Sequence, residues 1–260
     1  MYLKRGLKKT IQAVKEHKIL FILLIVIQLI FLISCSYLIV TYQVKIMQNA
    51  QDITQALENA NYDPNAIQLG GQFMKDISLV YDNYNNMMEF ITQFILWIFG
   101  LFILFNGLIW LGAHYMLKKT AVIKVAVKFF VATLVMISPL LIIFYYILSK
   151  YVTALDSIWQ SILILFVILY YFLLVSYAFI NVKSWKSFVK KTFVMGIKKI
   201  HLTLLVLIIN LILISLSGAL IYFTVSQIYL SMLGVLLLVT FLILTKIFWI
   251  STLQDEKNYH

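Results

Sequence analysis

Four histidines, ten carboxylates and a single cysteine are the groups in these 260 residues that could ligate a metal, move a proton or attack as a nucleophile. Their spacing offers little chemistry. His17, His114, His201 and His260 form no His-x-x-x-His or Glu-x-x-His pattern, and Cys35 alone provides neither a thiolate cluster nor an intramolecular disulfide. No Gly-x-x-x-x-Gly-Lys-Ser/Thr loop and no Gly-x-Ser-x-Gly elbow occurs. The acids, among them Glu16, Glu89 and Asp156, fall in connecting segments or at the ends of apolar stretches, with no pair set for acid–base work. The chain therefore reads as non-enzymatic, with no catalytic, cofactor-binding or metal-binding residue.

What polarity the apolar stretches contain is uncharged. Gln28, Asn106, Ser138, Gln160 and Asn210 stand among Leu, Ile, Phe and Val. Amides in lipid most often tie helices together, at about 1 kcal/mol or less per bond. The functional alternative is a polar path through a bundle, in which Gln28, Ser138 and Asn210 would form a ring at one level. A second group with chemical meaning is basic: Lys8, Lys9, Lys118, Lys119, Lys190 and Lys191 are the expected contacts to anionic headgroups, each worth about 1 kcal/mol at a membrane surface. With one arginine and lysines that follow the apolar pattern, the +11 net charge does not suggest nucleic acid.

The elements that must position these residues are membrane helices. The composition is 63% hydrophobic and 12% charged, about half the charged share of a soluble domain. A bilayer core about 30 Å thick takes roughly 20 apolar residues as helix, because no water is there to satisfy a backbone that does not bond itself. Six stretches qualify, near 19–41, 90–115, 129–149, 157–181, 202–224 and 228–250. Eighteen of the 21 lysines and arginines lie before the first, between the second and third, between the fourth and fifth, or toward the C-terminus, leaving Lys45, Lys75 and Lys150. Retention of positive charge on the cytoplasmic side makes this an all-α membrane protein of six spans, N-in and C-in.

The spans pair into three hairpins. A basic segment, 1–18, precedes the first hairpin, 19–117; the second covers 118–181, the third 182–250, and 251–260 is a cytoplasmic tail. Leu7-Lys8-Lys9-Thr10, Leu117-Lys118-Lys119-Thr120 and Val189-Lys190-Lys191-Thr192 mark a threefold repeat, which aligns Gln28 with Asn210 at an offset of 182. Leu3, Leu7, Ile11 and Val14, and likewise Trp185, Phe188, Val189, Phe193, Ile197 and Ile200, recur at helical spacing beside lysines, as in helices lying in the headgroup region. Residues 42–89 keep helical apolar spacing on both sides of Asn61-Tyr62-Asp63-Pro64-Asn65 and Gly70-Gly71, so an outward helical hairpin is expected there. Leu32-Ile33-Ser34-Cys35 reads like a lipoprotein cleavage box, but apolar sequence continues through Val40, which favours an uncleaved span over lipidation of Cys35.

Three hairpins with surface helices make a layout similar to that of the mitochondrial carriers. The Pro-x-acid-x-x-base motif of that family does not occur, and Pro139 is the only proline in a span, so the similarity ends at the layout. The expected function is a scaffold or accessory subunit in a prokaryotic plasma membrane, binding lipid, a membrane-protein partner or a second copy. A transporter with a polar path is the alternative, and a lipid-modifying enzyme drawing on His114, His201 and Glu16 the third reading.

Overall fold

The computed structural model describes residues 2–59, 77–118, 121–150 and 155–254. Helix is the only regular structure among them: α1 (Tyr2–Glu16), α2 (Lys18–Asn59), α3 (Ile77–Leu101), a π-helical turn (Phe102–Asn106), α4 (Gly107–Leu117), α5 (Val122–Lys150), α6 (Leu155–Tyr177), α7 (Trp185–Phe193), a second π turn (Val194–Lys198), α8 (Ile200–Phe223) and α9 (Ile228–Leu253). Among the described residues, five helical stretches are long and apolar enough to cross a membrane: Lys18–Glu58, Ser78–Leu117, Val122–Ile143, Ile200–Phe223 and Ile228–Leu253. That is the make-up of a multi-pass membrane protein. The fourth expected span lies on α6, whose described apolar part, Leu163–Tyr177, is shorter than a span.

The chain forms two compact units, one of residues 30–104 and one of residues 1–29 with 105–260. In the first, the start of the first expected arm touches the beginning of the second expected span through long side chains. Tyr42 is buried, its hydroxyl 3.4 Å from Gln93 Oε1 and its ring 5.7 Å from that of Phe94. The Lys45 ammonium sits 5.0 Å over the Phe90 ring. The turn expected at 61–71, with Lys75, lies outside the described residues.

The second unit is organised around the C-terminal third of α9. Residues 247–253 of that helix are all buried, whereas Ile228–Leu233 are largely exposed, as suits an apolar surface that lipid would cover. Helices α1 and α6 make polar contacts with this segment, and the stretch after α6 with Gln254 just beyond it. Trp249 Nε1 donates to the Leu174 carbonyl of α6 at 2.9 Å. Ser251 Oγ donates to the Gly6 carbonyl of α1 at 3.0 Å and lies 3.1 Å from Thr10 Oγ1. Gln254 Nε2 reaches the Ala178 carbonyl and, at 2.9 Å, Asn181 Oδ1. Close approach needs small residues: a Cβ on Gly6 would land on the Thr252 hydroxyl, and one on Gly112 of α4 would run into the Leu24 side chain of α2.

This docking refines the expectation for the basic helices. On α1 the buried face is Gly6, Thr10 and Ala13, while Leu7 (53%) and Ile11 (48%) of the apolar stripe stay exposed. The helix thus rests on α9 by its small residues and offers its large ones outward. α7 behaves alike: Phe188 and Thr192 turn in, and Trp185, Val189 and Phe193 remain exposed. The middle basic segment makes no such helix among the described residues, since α5 already begins at Val122.

The positions aligned between the first and third basic segments share a burial pattern. At an offset of 182, buried Gly6, Thr10, Ala13, Leu24 and Gln28 coincide with buried Phe188, Thr192, Met195, Val206 and Asn210. Thr10 Oγ1 and Thr192 Oγ1 each donate to the carbonyl four residues back. The middle copy departs from the pattern: Ile123 stands where the others bury Ala13 and Met195, and it is largely exposed.

Candidate functional site

Of the five amide and hydroxyl residues singled out in the sequence, three meet α9 at adjacent residues. The π turn adds one residue to the helical circuit just before Gly107 and ends on Asn106, which is buried. From there Asn106 Oδ1 accepts from Lys246 Nζ at 2.8 Å, and Gln28 Oε1 on α2 faces the same ammonium at 3.4 Å. Asn210 Nδ2 on α8 reaches the carbonyl of Thr245 at 3.5 Å, while its Oδ1 is buried with no partner among the described residues. Lys246 is half-buried, seven residues before the end of α9, or roughly 10 Å along the axis.

Lys246 is the residue that sequence reasoning misplaced. Counted with the positive flank of the last span, it works inside the bundle instead. The signal was available: Ile247-Phe248-Trp249-Ile250 continues the apolar run past it, so the helix does not end at the lysine. Ser138, expected in a ring with Gln28 and Asn210, has no hydrogen bond to either among the described residues. Ser138 Oγ donates within its own helix to the Leu134 carbonyl at 2.5 Å, one turn back and beside Pro139, which has no N–H to give. Gln160 is exposed.

Other polar side chains are also spent between helices. His114 is fully buried, and its Nε2–H donates to the Tyr177 carbonyl at 2.8 Å, leaving Nδ1 unpartnered among the described residues. Tyr177, fully enclosed by Trp110 and Phe129, has its hydroxyl 2.8 Å from Thr133 Oγ1. Tyr171 Oη lies 2.9 Å from the Gly196 carbonyl and 2.5 Å from Thr203 Oγ1. His201 is exposed, and Glu16 accepts from its neighbour Gln12, so neither shares the enclosed site of His114.

The lysines expected to meet headgroups divide by environment. Lys118 is exposed and Lys119 lies outside the described residues; Lys8 and Lys190 are exposed and Lys191 half-buried. Lys128 differs from all of them, with 5% of its surface exposed. Its Nζ donates to the carbonyls of Val182 and, at 3.3 Å, Lys183, and sits 5.6 Å over the Trp185 ring. It closes the non-helical stretch after α6, whose carbonyls have no helical partner. No group of three or more His, Cys, Asp or Glu able to hold a metal occurs among the described residues. Compared with known proteins, the chain matches no family model, no curated protein and no solved structure.

Proposed function

We propose that this chain is a non-enzymatic membrane scaffold or accessory subunit. It crosses a prokaryotic plasma membrane six times, with both ends in the cytoplasm. The observation that carries the reading is where the polar groups within the apolar helices are spent. Lys246 with Gln28 and Asn106, Tyr177 with Thr133, and Trp249 with Leu174 each bond one helix to another. Buried polar groups in lipid are costly, so they are kept where they hold something. Here they hold helices, and the large exposed apolar faces of α2, α8 and α9 are left for lipid or for a membrane-protein partner. The lysine asymmetry supports the orientation.

The test is affinity purification of the tagged full-length chain from native membranes in mild detergent, with proteins and lipids identified by mass spectrometry. A protein partner in stoichiometric amount is the expected result. Recovery of the chain alone with a bound small solute would overturn the scaffold reading. It would favour a transporter, for which one observation speaks: a half-buried ammonium within a span, among amides.

A further inference from the structure

Two adjoining cavities open at the lysine-rich end of the second unit. One, of about 440 Å³, lies between the end of α4, the first turns of α5 and the stretch after α6; Lys118, Lys124, Lys128 and Lys183 line it. The other, of about 270 Å³, shares Lys118, Asn181 and Lys183 with the first and adds Lys191 and Gln254. Among the described residues, none that lines either one is acidic. The larger volume falls within the ~300–1,000 Å³ of small-ligand sites.

The floor of this cleft is fixed from beneath. Buried Lys128 ties down the Val182 and Lys183 carbonyls, and Gln254 holds Asn181 and the Ala178 carbonyl. Two of the three Lys128 donors are used in that way, which leaves one for a ligand. Four lysines converging with no carboxylate among the described lining residues would repel one another, and a multiply charged anion relieves that repulsion better than a single carboxylate can. Lysine is a point-charge binder of phosphate. Exposed apolar side chains stand next to lining residues, Val122 (53%) and Ile123 (79%) in sequence between Ala121 and Lys124, and Trp185 (45%) with its ring 5.6 Å from the Lys128 ammonium, a surface suited to acyl chains rather than to a free ion.

We infer that the cleft lined by Lys118, Lys124, Lys128 and Lys183 is a binding site for the phosphate headgroup of an anionic phospholipid. The site is independent of whether the chain acts as a scaffold or a transporter. Of the lysines expected from the sequence to touch lipid, it includes Lys118 and, at its margin, Lys191; Lys124, Lys128 and Lys183 come together only through the fold.

The experiment uses the full chain in nanodiscs or detergent, with phosphatidic acid as probe, phosphatidylcholine as the neutral control and inorganic phosphate as competitor. Saturable binding of phosphatidic acid near one per chain is expected. The double variant Lys124→Gln/Lys183→Gln should weaken it about thirtyfold, from roughly fivefold per interfacial lysine. Both side chains are exposed, so folding should survive, as circular dichroism and gel filtration will show; Lys124→Arg/Lys183→Arg should restore binding. Lys186→Gln/Lys190→Gln, the same charge change on α7 outside the cleft, should leave binding within about twofold, since neither side chain lines either cavity. Equal losses in the two Gln pairs would mean diffuse charge attraction and overturn the site. Displacement of the lipid by inorganic phosphate at matching concentration would assign the cleft to free phosphate and overturn the lipid source.

Discussion

The contact most open to quantitative attack is the one at Lys246. Replacing Asn106 by Leu removes the 2.8 Å acceptor and leaves the ammonium half-buried with only Gln28, at 3.4 Å. A hydrogen bond to a charged group is worth about 1.5–3 kcal/mol, and a desolvated charge that loses its partner is penalised toward the upper end. Asn106→Leu should therefore cost about 2 kcal/mol, and Gln28→Leu about half of that because its contact is longer. The background reverses the sign. In Lys246→Met the two amide oxygens have lost their donor, so Asn106→Leu then removes an orphaned acceptor and should be neutral or stabilising. The triple replacement by Leu, Leu and Met should approach the parent stability, as apolar substitution of a whole buried polar group often does. The assay is reversible unfolding in mixed micelles, titrating denaturing detergent and following helicity by circular dichroism, read as a double-mutant cycle. A coupling of about 2 kcal/mol between positions 106 and 246 is expected. If Asn106→Leu costs the same in both backgrounds, the ammonium–amide bond is not what holds α4 to α9.

Two further outcomes follow from the packing and from the charge pattern. Gly6→Leu places a side chain on the Thr252 hydroxyl and should free α1 from α9; trypsin should then cut at Lys8 and Lys9 several-fold faster while the spans stay helical, and unchanged cutting would mean that α1 is held by something other than its small-residue face. In a Cys35→Ser background, cysteines at Lys118 and Lys186 should react with an impermeant thiol reagent only after the cytoplasmic face is opened, and a cysteine at Asp82 should react in intact cells. Any reversal among these would break the N-in, C-in topology.

Some of this was legible before any coordinates. Helix and span follow from sequence because an apolar run of bilayer length has one way to satisfy its backbone in lipid. The amides Gln28, Asn106 and Asn210 were also visible, since an amide among Leu and Ile is conspicuous at once. Their partner was not. Lys246 lies 218 residues from Gln28 and 140 from Asn106, and helical periodicity says which face a residue occupies but not which helix that face meets. The same limit applies to Lys128. In the sequence it is one more positive charge on a flank; only the return of the chain at Val182 and Lys183 supplies the carbonyls that draw it inward. On α1 the sequence shows a stripe of large apolar residues and, beside it, Gly6, Thr10 and Ala13. The choice of the small face for docking belongs to tertiary structure, because close approach depends on Thr252 and Ser251 standing opposite, on a helix more than 240 residues away. Composition and local spacing determined that this chain is a bundle of apolar helices with a few amides inside; the pairing of distant positions decided that the amides answer to a lysine and that other lysines line a cleft.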